Sequence, residues 1–324
     1  MKKQPQKLDL KGKKITVIGG GLIGASWASL FLAQGMKVVI SDPKPDIRDY
    51  FNSKLDTNII DLKKLGYTID SDYKNHLSYI ADTASAVQDA DYVQENGPEN
   101  TAFKQDLWQL IEANAPENSL FFSSSSGITI SQQGTKMKNP SRLLIGHPFN
   151  PPHLIPLVEI LAKDNEDGIN AAMEFYHSLG KVPILVHKET PGFVANRLQS
   201  AIFRECVSLV VEGIVNVKEL DDIMTSSLGI RWAVGGPFIS FHLGGGDAGF
   251  PFFLKHLGPG MEQIWKDEIS KPVSYDEKTI QLLDEQVKEH YGSKTLVELA
   301  GERDMKQIEL MNAFSKLEYY HTLK

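Results

Sequence analysis

The sequence predicts an α/β fold, a doubly wound and mostly parallel sheet, followed by an all-α C-terminal domain. Two observations carry this reading. From residue 13 to about residue 188, short apolar runs of strand length alternate with segments of helical periodicity, as in βα units feeding a parallel sheet. From Phe193 onward the pattern is helical almost throughout, with no convincing strand. A chain of 324 residues can fill two cores. The boundary is expected inside Lys188-Glu189-Thr190-Pro191-Gly192, where proline and glycine stop regular structure. The domains are therefore read as 1–188 and 189–324.

The first βαβ unit sets the rest. Ile15, Val17 and Ile18 form a buried-looking strand, and Gly19, Gly20 and Gly21 break it. A helix follows with Leu22, Ile23, Trp27, Leu30 and Phe31 at helical spacing. Gly35 closes it before the next strand, Val38 to Ile40, with Asp42 just beyond. Gly19, Gly21 and Gly24 satisfy G-x-G-x-x-G between strand and helix, the setting in which that motif binds a dinucleotide. The glycines then serve the tight turn, the approach of a pyrophosphate and close helix–strand packing. The helix N-terminus supplies the anion's donors. Asp42 accepts from a ribose 2′-OH and repels a 2′-phosphate, so the cofactor is read as NAD and the sheet as a Rossmann-type one. Leu22 and Ile23, the first helical residues, are counted with the glycines and Asp42 as cofactor-binding.

Farther along, Ile47, Phe51, Leu55, Ile59 and Leu62 mark an amphipathic helix. Its surroundings, Pro43 to Asn75, hold six basic and six acidic residues. Strands are expected at Leu77–Ile80, Tyr92–Gln94, Leu120–Phe122, Leu143–Gly146, Pro156–Leu161 and Val182–Val186, with helices at Phe103–Ala113 and Asp167–Leu179. Ligands gather beyond the C-terminal strand ends of such sheets. Two polar turns are expected there, Glu95 to Glu99 and Ser123 to Gly127.

Composition removes several classes. A net charge of −7 with interspersed signs is no nucleic-acid footprint. No run approaches the ~18 apolar residues of a membrane span. The single cysteine, Cys206, excludes an internal disulfide and a cysteine metal cluster, so no metal is expected. The N-terminus lacks the apolar region of a signal peptide. A cytoplasmic location is expected.

His147 follows an expected strand and is held by Pro148. Glu159 interrupts the apolar run Pro156–Leu161, where a buried carboxylate needs a partner. Paired, Glu159 would fix the tautomer of His147 and raise its basicity, as a base that removes a hydroxyl proton requires. Spacing alone equally allows a structural histidine and an unrelated acid.

The glycine turn, the serine-rich turn, Gly146-His147-Pro148-Phe149-Asn150-Pro151-Pro152 with Leu157-Val158-Glu159, and Thr190-Pro191-Gly192-Phe193-Val194-Ala195-Asn196-Arg197 occur in order. Together they resemble the 3-hydroxyacyl-CoA dehydrogenase superfamily across about residues 13 to 260. The resemblance implies His147 as base with Glu159 as its orienter. It also implies Ser126 and Asn196 as polar contacts to the substrate oxygen, Glu99 near the nicotinamide, and a homodimer through the helical domain. Where the acyl-CoA branch carries tyrosine and proline, this chain reads Gly229-Ile230-Arg231-Trp232-Ala233. The Arg231 fork suits a free carboxylate, which a thioester does not present. With the Phe241-to-Gly249 glycine run, this segment resembles the carnitine branch, and the substrate is expected to be a small L-3-hydroxy acid. Phe149 and Trp232 are read, with Arg231, as substrate-binding; an aromatic face suits a quaternary ammonium. A 3-hydroxyacyl-CoA, L-gulonate, and a non-catalytic NAD-binding role are the competing readings.

Overall fold

The computed structural model describes residues 7–317. Two compact units divide them, one taking residues up to Asn196 together with those from Gly301 onward, the other Arg197–Ala300.

In the first unit the order is β1 (Lys14–Ile18), α1 (Leu22–Ala33), β2 (Lys37–Ser41), α2 (Ile47–Lys64), β3 (Leu77–Tyr79), α3 (Thr83–Ala86) and β4 (Tyr92–Glu95). There follow α4 (Thr101–Asn114), β5 (Leu120–Ser123), α5 (Ile130–Gln133), β6 (Leu143–Pro148), β7 (Leu157–Ala162), α6 (Glu166–Ser178) and β8 (Val182–Leu185). The eight strands lie in the order β3-β2-β1-β4-β5-β6-β7-β8. All neighbours are parallel except β6 and β7. The chain winds one way from β1 to β3 and the other way from β4, so the strand order reverses between β1 and β4, where ligands bind in such sheets.

Helix α1 differs from an ordinary amphipathic helix, because every residue from Gly24 to Ala33 is buried. Trp27 stacks on Phe31 at 5.5 Å, and α1 packs against both the sheet and α2. α2 keeps one wet face and buries Phe51, Leu55, Ile59 and Leu62. On the opposite face of the sheet Trp108 of α4 stacks on Phe121. Asn100 caps α4 by accepting from the Phe103 N–H at 2.9 Å.

α7 (Ala195–Val211) starts at the end of the first unit. The second unit continues with α8 (Val217–Ser226), α9 (Leu228–Val234), α10 (Pro237–Gly244), α11 (Gly249–Ser270), α12 (Glu277–Tyr291) and the start of α13 (Leu296–Lys316). Beyond β8 no strand occurs among the described residues. Arg204 donates to the carbonyls of Glu268 and Lys271, each at 2.6 Å, and so closes the α11 C-terminus. Asn216 and Glu219 form a capping box on α8. Residues of α13 beyond Gly301 pack in the first unit, where Asn312 donates to the carbonyl of Lys64 at 3.2 Å.

Candidate active site

β1 delivers the glycine turn to the edge of the sheet where the strand order reverses. Gly19 has φ of 86°, and a Cβ there would stand 2.9 Å from the Asn96 carbonyl oxygen. At Gly24 a Cβ would meet the Gly19 carbonyl oxygen at 1.9 Å, so helix and turn touch without room for a methyl group. Gly21 is different, because a Cβ on it would meet nothing within 4 Å. Internal packing does not demand a glycine there, and the bare backbone leaves room for a ligand to approach. No side chain caps the start of α1, which leaves the N–H groups of Leu22, Ile23 and Gly24 to an outside anion. These features fit a dinucleotide pyrophosphate. Asp42 follows β2, and its Oδ2 accepts from the Gly20 N–H at 2.8 Å while Oδ1 accepts from the Lys44 N–H at 2.9 Å. The carboxylate is thus fixed beside the turn, with lone pairs left for a ribose hydroxyl.

The two polar turns are built on one another. Glu99 Oε1 accepts from Ser125 Oγ at 2.6 Å, from the Ser126 N–H at 3.0 Å and from the Gly127 N–H at 2.9 Å. Burial would raise its pKa, but these donors and the charge of Lys104 outweigh burial and hold it below the ordinary carboxylate value. Glu99 therefore shapes the serine-rich turn that presents Ser126. The Ser126 hydroxyl makes no hydrogen bond among the described residues, and Asn196 donates to the Ser126 carbonyl at a long 3.4 Å.

Beneath these turns lies a pair that sequence reading passed over. Lys104 and Glu95 are fully buried and joined at 2.6 and 2.7 Å. Ser123 Oγ and the Gly97 N–H also donate to Glu95. The signal was present, since Lys104 occupies the apolar stripe shared by Leu107, Trp108 and Ile111. A lysine on such a stripe requires a buried carboxylate.

His147 and Glu159 face each other across the antiparallel β6–β7 pair. Their bond, Nδ1 to Oε2, measures 2.7 Å, and both side chains are almost wholly buried. The other oxygen, Oε1, accepts from the N–H groups of Val194 at 2.9 Å and Ala195 at 3.0 Å, where α7 begins. Burial favours the neutral acid. The hydrogen bond from His147 and the two backbone donors overcome it, so the Glu159 pKa is lowered and the group stays ionised. An ionised, acceptor-only partner places the ring proton on Nδ1 and leaves Nε2 as a free lone pair. Nε2 has no partner among the described residues. Phe193 and Phe149 flank the ring at 5.3 and 6.1 Å.

The first unit thus brings together the glycine turn with Asp42, the Glu99-bound turn with Ser126 and Asn196, and the His147–Glu159 pair with Phe149. Arg231 and Trp232 stand on α9 in the second unit, Arg231 exposed with no side-chain partner among the described residues and Trp232 half-buried. Phe241, one of the aromatics near them in sequence, stacks on Phe253 at 4.7 Å and belongs to packing.

Comparison with known proteins identifies the two domains. Residues 14–190 match the family model "3-hydroxyacyl-CoA dehydrogenase, NAD binding domain", and 192–299 match "3-hydroxyacyl-CoA dehydrogenase, C-terminal domain". A 3-hydroxyacyl-CoA dehydrogenase of Gibberella moniliformis is 40% identical over 94% of this chain and 96% of its own. An L-carnitine dehydrogenase of Nocardiopsis dassonvillei is 36% identical over 94% and 93%. Among solved structures, 5-formyl-3-hydroxy-2-methylpyridine 4-carboxylic acid 5-dehydrogenase, an NAD+-dependent dismutase, superimposes with a TM-score of 0.77. It is 26% identical and covers 94% of this chain and 99% of its own.

Proposed function

The chain belongs to the 3-hydroxyacyl-CoA dehydrogenase family, NAD-dependent oxidoreductases acting on a CH–OH group, and from that premise we propose that its substrate is a small L-3-hydroxy acid. The acid assigned is L-carnitine, oxidised at its 3-hydroxyl to 3-dehydrocarnitine. The observation that carries the chemistry is the His147–Glu159 pair. Nε2 of His147 takes the hydroxyl proton while the C3–O bond becomes a carbonyl, and Glu159 stabilises the imidazolium that results. NAD, when bound, accepts the hydride that leaves C3. Gly19, Gly21, Gly24 and the N–H groups of Leu22 and Ile23 would hold its pyrophosphate, and Asp42 its ribose. Ser126 and Asn196 are assigned to the reacting oxygen.

Selection of a free acid is assigned to Arg231. A guanidinium pairs bidentately with a carboxylate, and Trp232 and Phe149 offer faces for a quaternary ammonium. Support comes from the L-carnitine dehydrogenase relatives and from the solved dismutase, whose name gives a carboxylic acid as its substrate. A second reading, a 3-hydroxyacyl-CoA substrate, is favoured by the 40% identical fungal relative.

Exposed apolar side chains crowd the second unit, Phe238 at 75%, Leu243 at 72% and Ile269 at 80% exposure. Such a surface calls for a cover, and we assign it to a second copy of the chain. The lone cysteine fits a reducing, cytoplasmic setting.

The deciding experiment follows NADH absorbance with L-carnitine, L-gulonate, 3-hydroxybutyrate and 3-hydroxybutyryl-CoA, each with the unmodified protein and Arg231→Ala. Charge-assisted hydrogen bonds contribute about 1.5–3 kcal/mol each, so the KM for the acid should rise at least roughly tenfold in the variant. Turnover of the CoA ester that exceeds the acids and ignores Arg231→Ala would transfer the assignment to the second reading.

A further inference from the structure

A cavity of about 280 Å³ in the first unit lies among the turns after α2 and α6, the β6–β7 connection and the last turns of α13. The dinucleotide and His147 chemistry does not use it. Four basic side chains line it, Lys7, His153, His177 and Lys181, and among the described residues lining it none is acidic. The described lining is thus rich in hydrogen-bond donors and free of carboxylates.

Its deep end is built from buried donors. Lys181 is 2% exposed, and its Nζ donates to the carbonyls of Pro152 and Ile155; burial lowers its pKa to about 7, and in the protonated form, which a bound anion favours, a third N–H is left. His153 is 4% exposed. Its backbone N–H donates to Ser26 Oγ at 2.8 Å, and the Ser26 oxygen lies 2.7 Å from Nδ1. The arrangement that satisfies all three groups has the serine hydroxyl donating to Nδ1, which places the ring proton on Nε2. That nitrogen is buried and has no partner among the described residues. A buried N–H is costly to leave without an acceptor, which points to an acceptor that the described residues do not supply. Burial first, and then the positive charges of Lys181 and Arg303, push the His153 pKa down to about 3, so the ring is a neutral donor. Leu65, Leu154 and Met311 supply an apolar wall.

We propose that this cavity binds a small organic carboxylate, its oxygens accepting from His153 Nε2–H and Lys181 Nζ and its short alkyl tail lying on Leu65, Leu154 and Met311. The site is separate from the residues assigned to the reaction and stands whether or not that assignment does.

The test titrates butyrate calorimetrically into full-length protein carrying Arg231→Ala and saturated with NAD, so that neither the glycine turn nor the guanidinium assigned to substrate competes. Saturable one-to-one binding in the millimolar range is expected. His153→Asn retains an amide oxygen for the Ser26 hydroxyl and removes the Nε2 donor; it should weaken binding roughly tenfold or more, as should Lys181→Met. If Lys181→Met fails to fold by circular dichroism, His153→Asn decides. Absence of binding, or unchanged affinity in His153→Asn, overturns the proposal. Inorganic phosphate binding as tightly as butyrate overturns the assignment to a carboxylate.

Discussion

Replacing Glu159 with glutamine separates its two duties. In the native pair Oε1 serves the Val194 and Ala195 amides and Oε2 serves His147 Nδ1. Glutamine has one oxygen and one NH2 group. The two backbone N–H donors retain the oxygen, because the opposite rotamer would set the NH2 against both of them. The NH2 then faces Nδ1 at about the native separation and can only donate to it. His147 is driven to carry its proton on Nε2, the nitrogen that should receive the hydroxyl proton. A general base of this kind contributes ~10²–10⁴-fold, and kcat should fall on that scale. Stability should change by only about 1–3 kcal/mol, because one hydrogen bond is inverted while the packing stays. The assay is steady-state NADH formation, with NAD affinity measured by fluorescence quenching and the thermal midpoint by calorimetry. NAD affinity should be unchanged. Near-native kcat in a folded Glu159→Gln protein would refute both the tautomer argument and the assignment of His147 as base.

Asp42→Ser should narrow the preference for NAD over NADP, read as the ratio of kcat/KM for the two cofactors; efficient use of NADP by the unmodified protein would contradict the role given to Asp42. Lys104→Met leaves the Glu95 carboxylate buried and uncompensated, and urea unfolding should register a loss of about 3–5 kcal/mol. His153 has a folded pKa of about 3, below its value in the unfolded chain, so the unfolded state binds more protons between the two and stability is lost as pH falls through that window. At one unit below the ordinary histidine pKa the loss should be about 1.4 kcal/mol, and His153→Asn should flatten this part of the stability-against-pH curve. The dimer assigned to the second unit predicts a twofold mass by light scattering, reduced toward the monomer by charged substitutions at Phe238 and Ile269.

The Rossmann-type sheet was legible because its determinants are local. Strand, glycine turn, helix and acid follow one another within thirty residues, and each step has its own residue chemistry. His147 and Glu159 could be suspected because a carboxylate sat in an apolar strand, but their pairing depended on the β6–β7 register, which only the closed hairpin sets. The role of Glu99 in holding the serine-rich turn was illegible, since its donors lie twenty-six to twenty-eight residues away. The same holds for the return of α13 to the first unit. Its periodicity declares a helix, and nothing local says which core its Ile308 and Met311 join.

A chain of hydrogen bonds, buried at its Tyr176 end and part-buried beyond it, runs from beside the histidine strand to the glycine turn. A Cβ on Gly146, the residue before His147, would stand 2.0 Å from the Tyr176 hydroxyl oxygen, so glycine there makes room for that hydroxyl. Tyr176 donates to Gln94 Oε1 at 2.7 Å, Gln94 Nε2 to Ser124 Oγ at 2.9 Å, and Ser124 Oγ to Asn96 Oδ1 at 2.7 Å. Asn96 Nδ2 then donates to the carbonyl of Ile18 at 3.2 Å, immediately before Gly19. Every link runs donor to acceptor in one direction, which fixes both amide orientations and lets each bond polarise the next. The buried members, Tyr176 and Gln94, would be costly to leave unsatisfied. What it joins is the strand that carries His147 and the strand that ends at Gly19, so the two strand ends are held in register with each other.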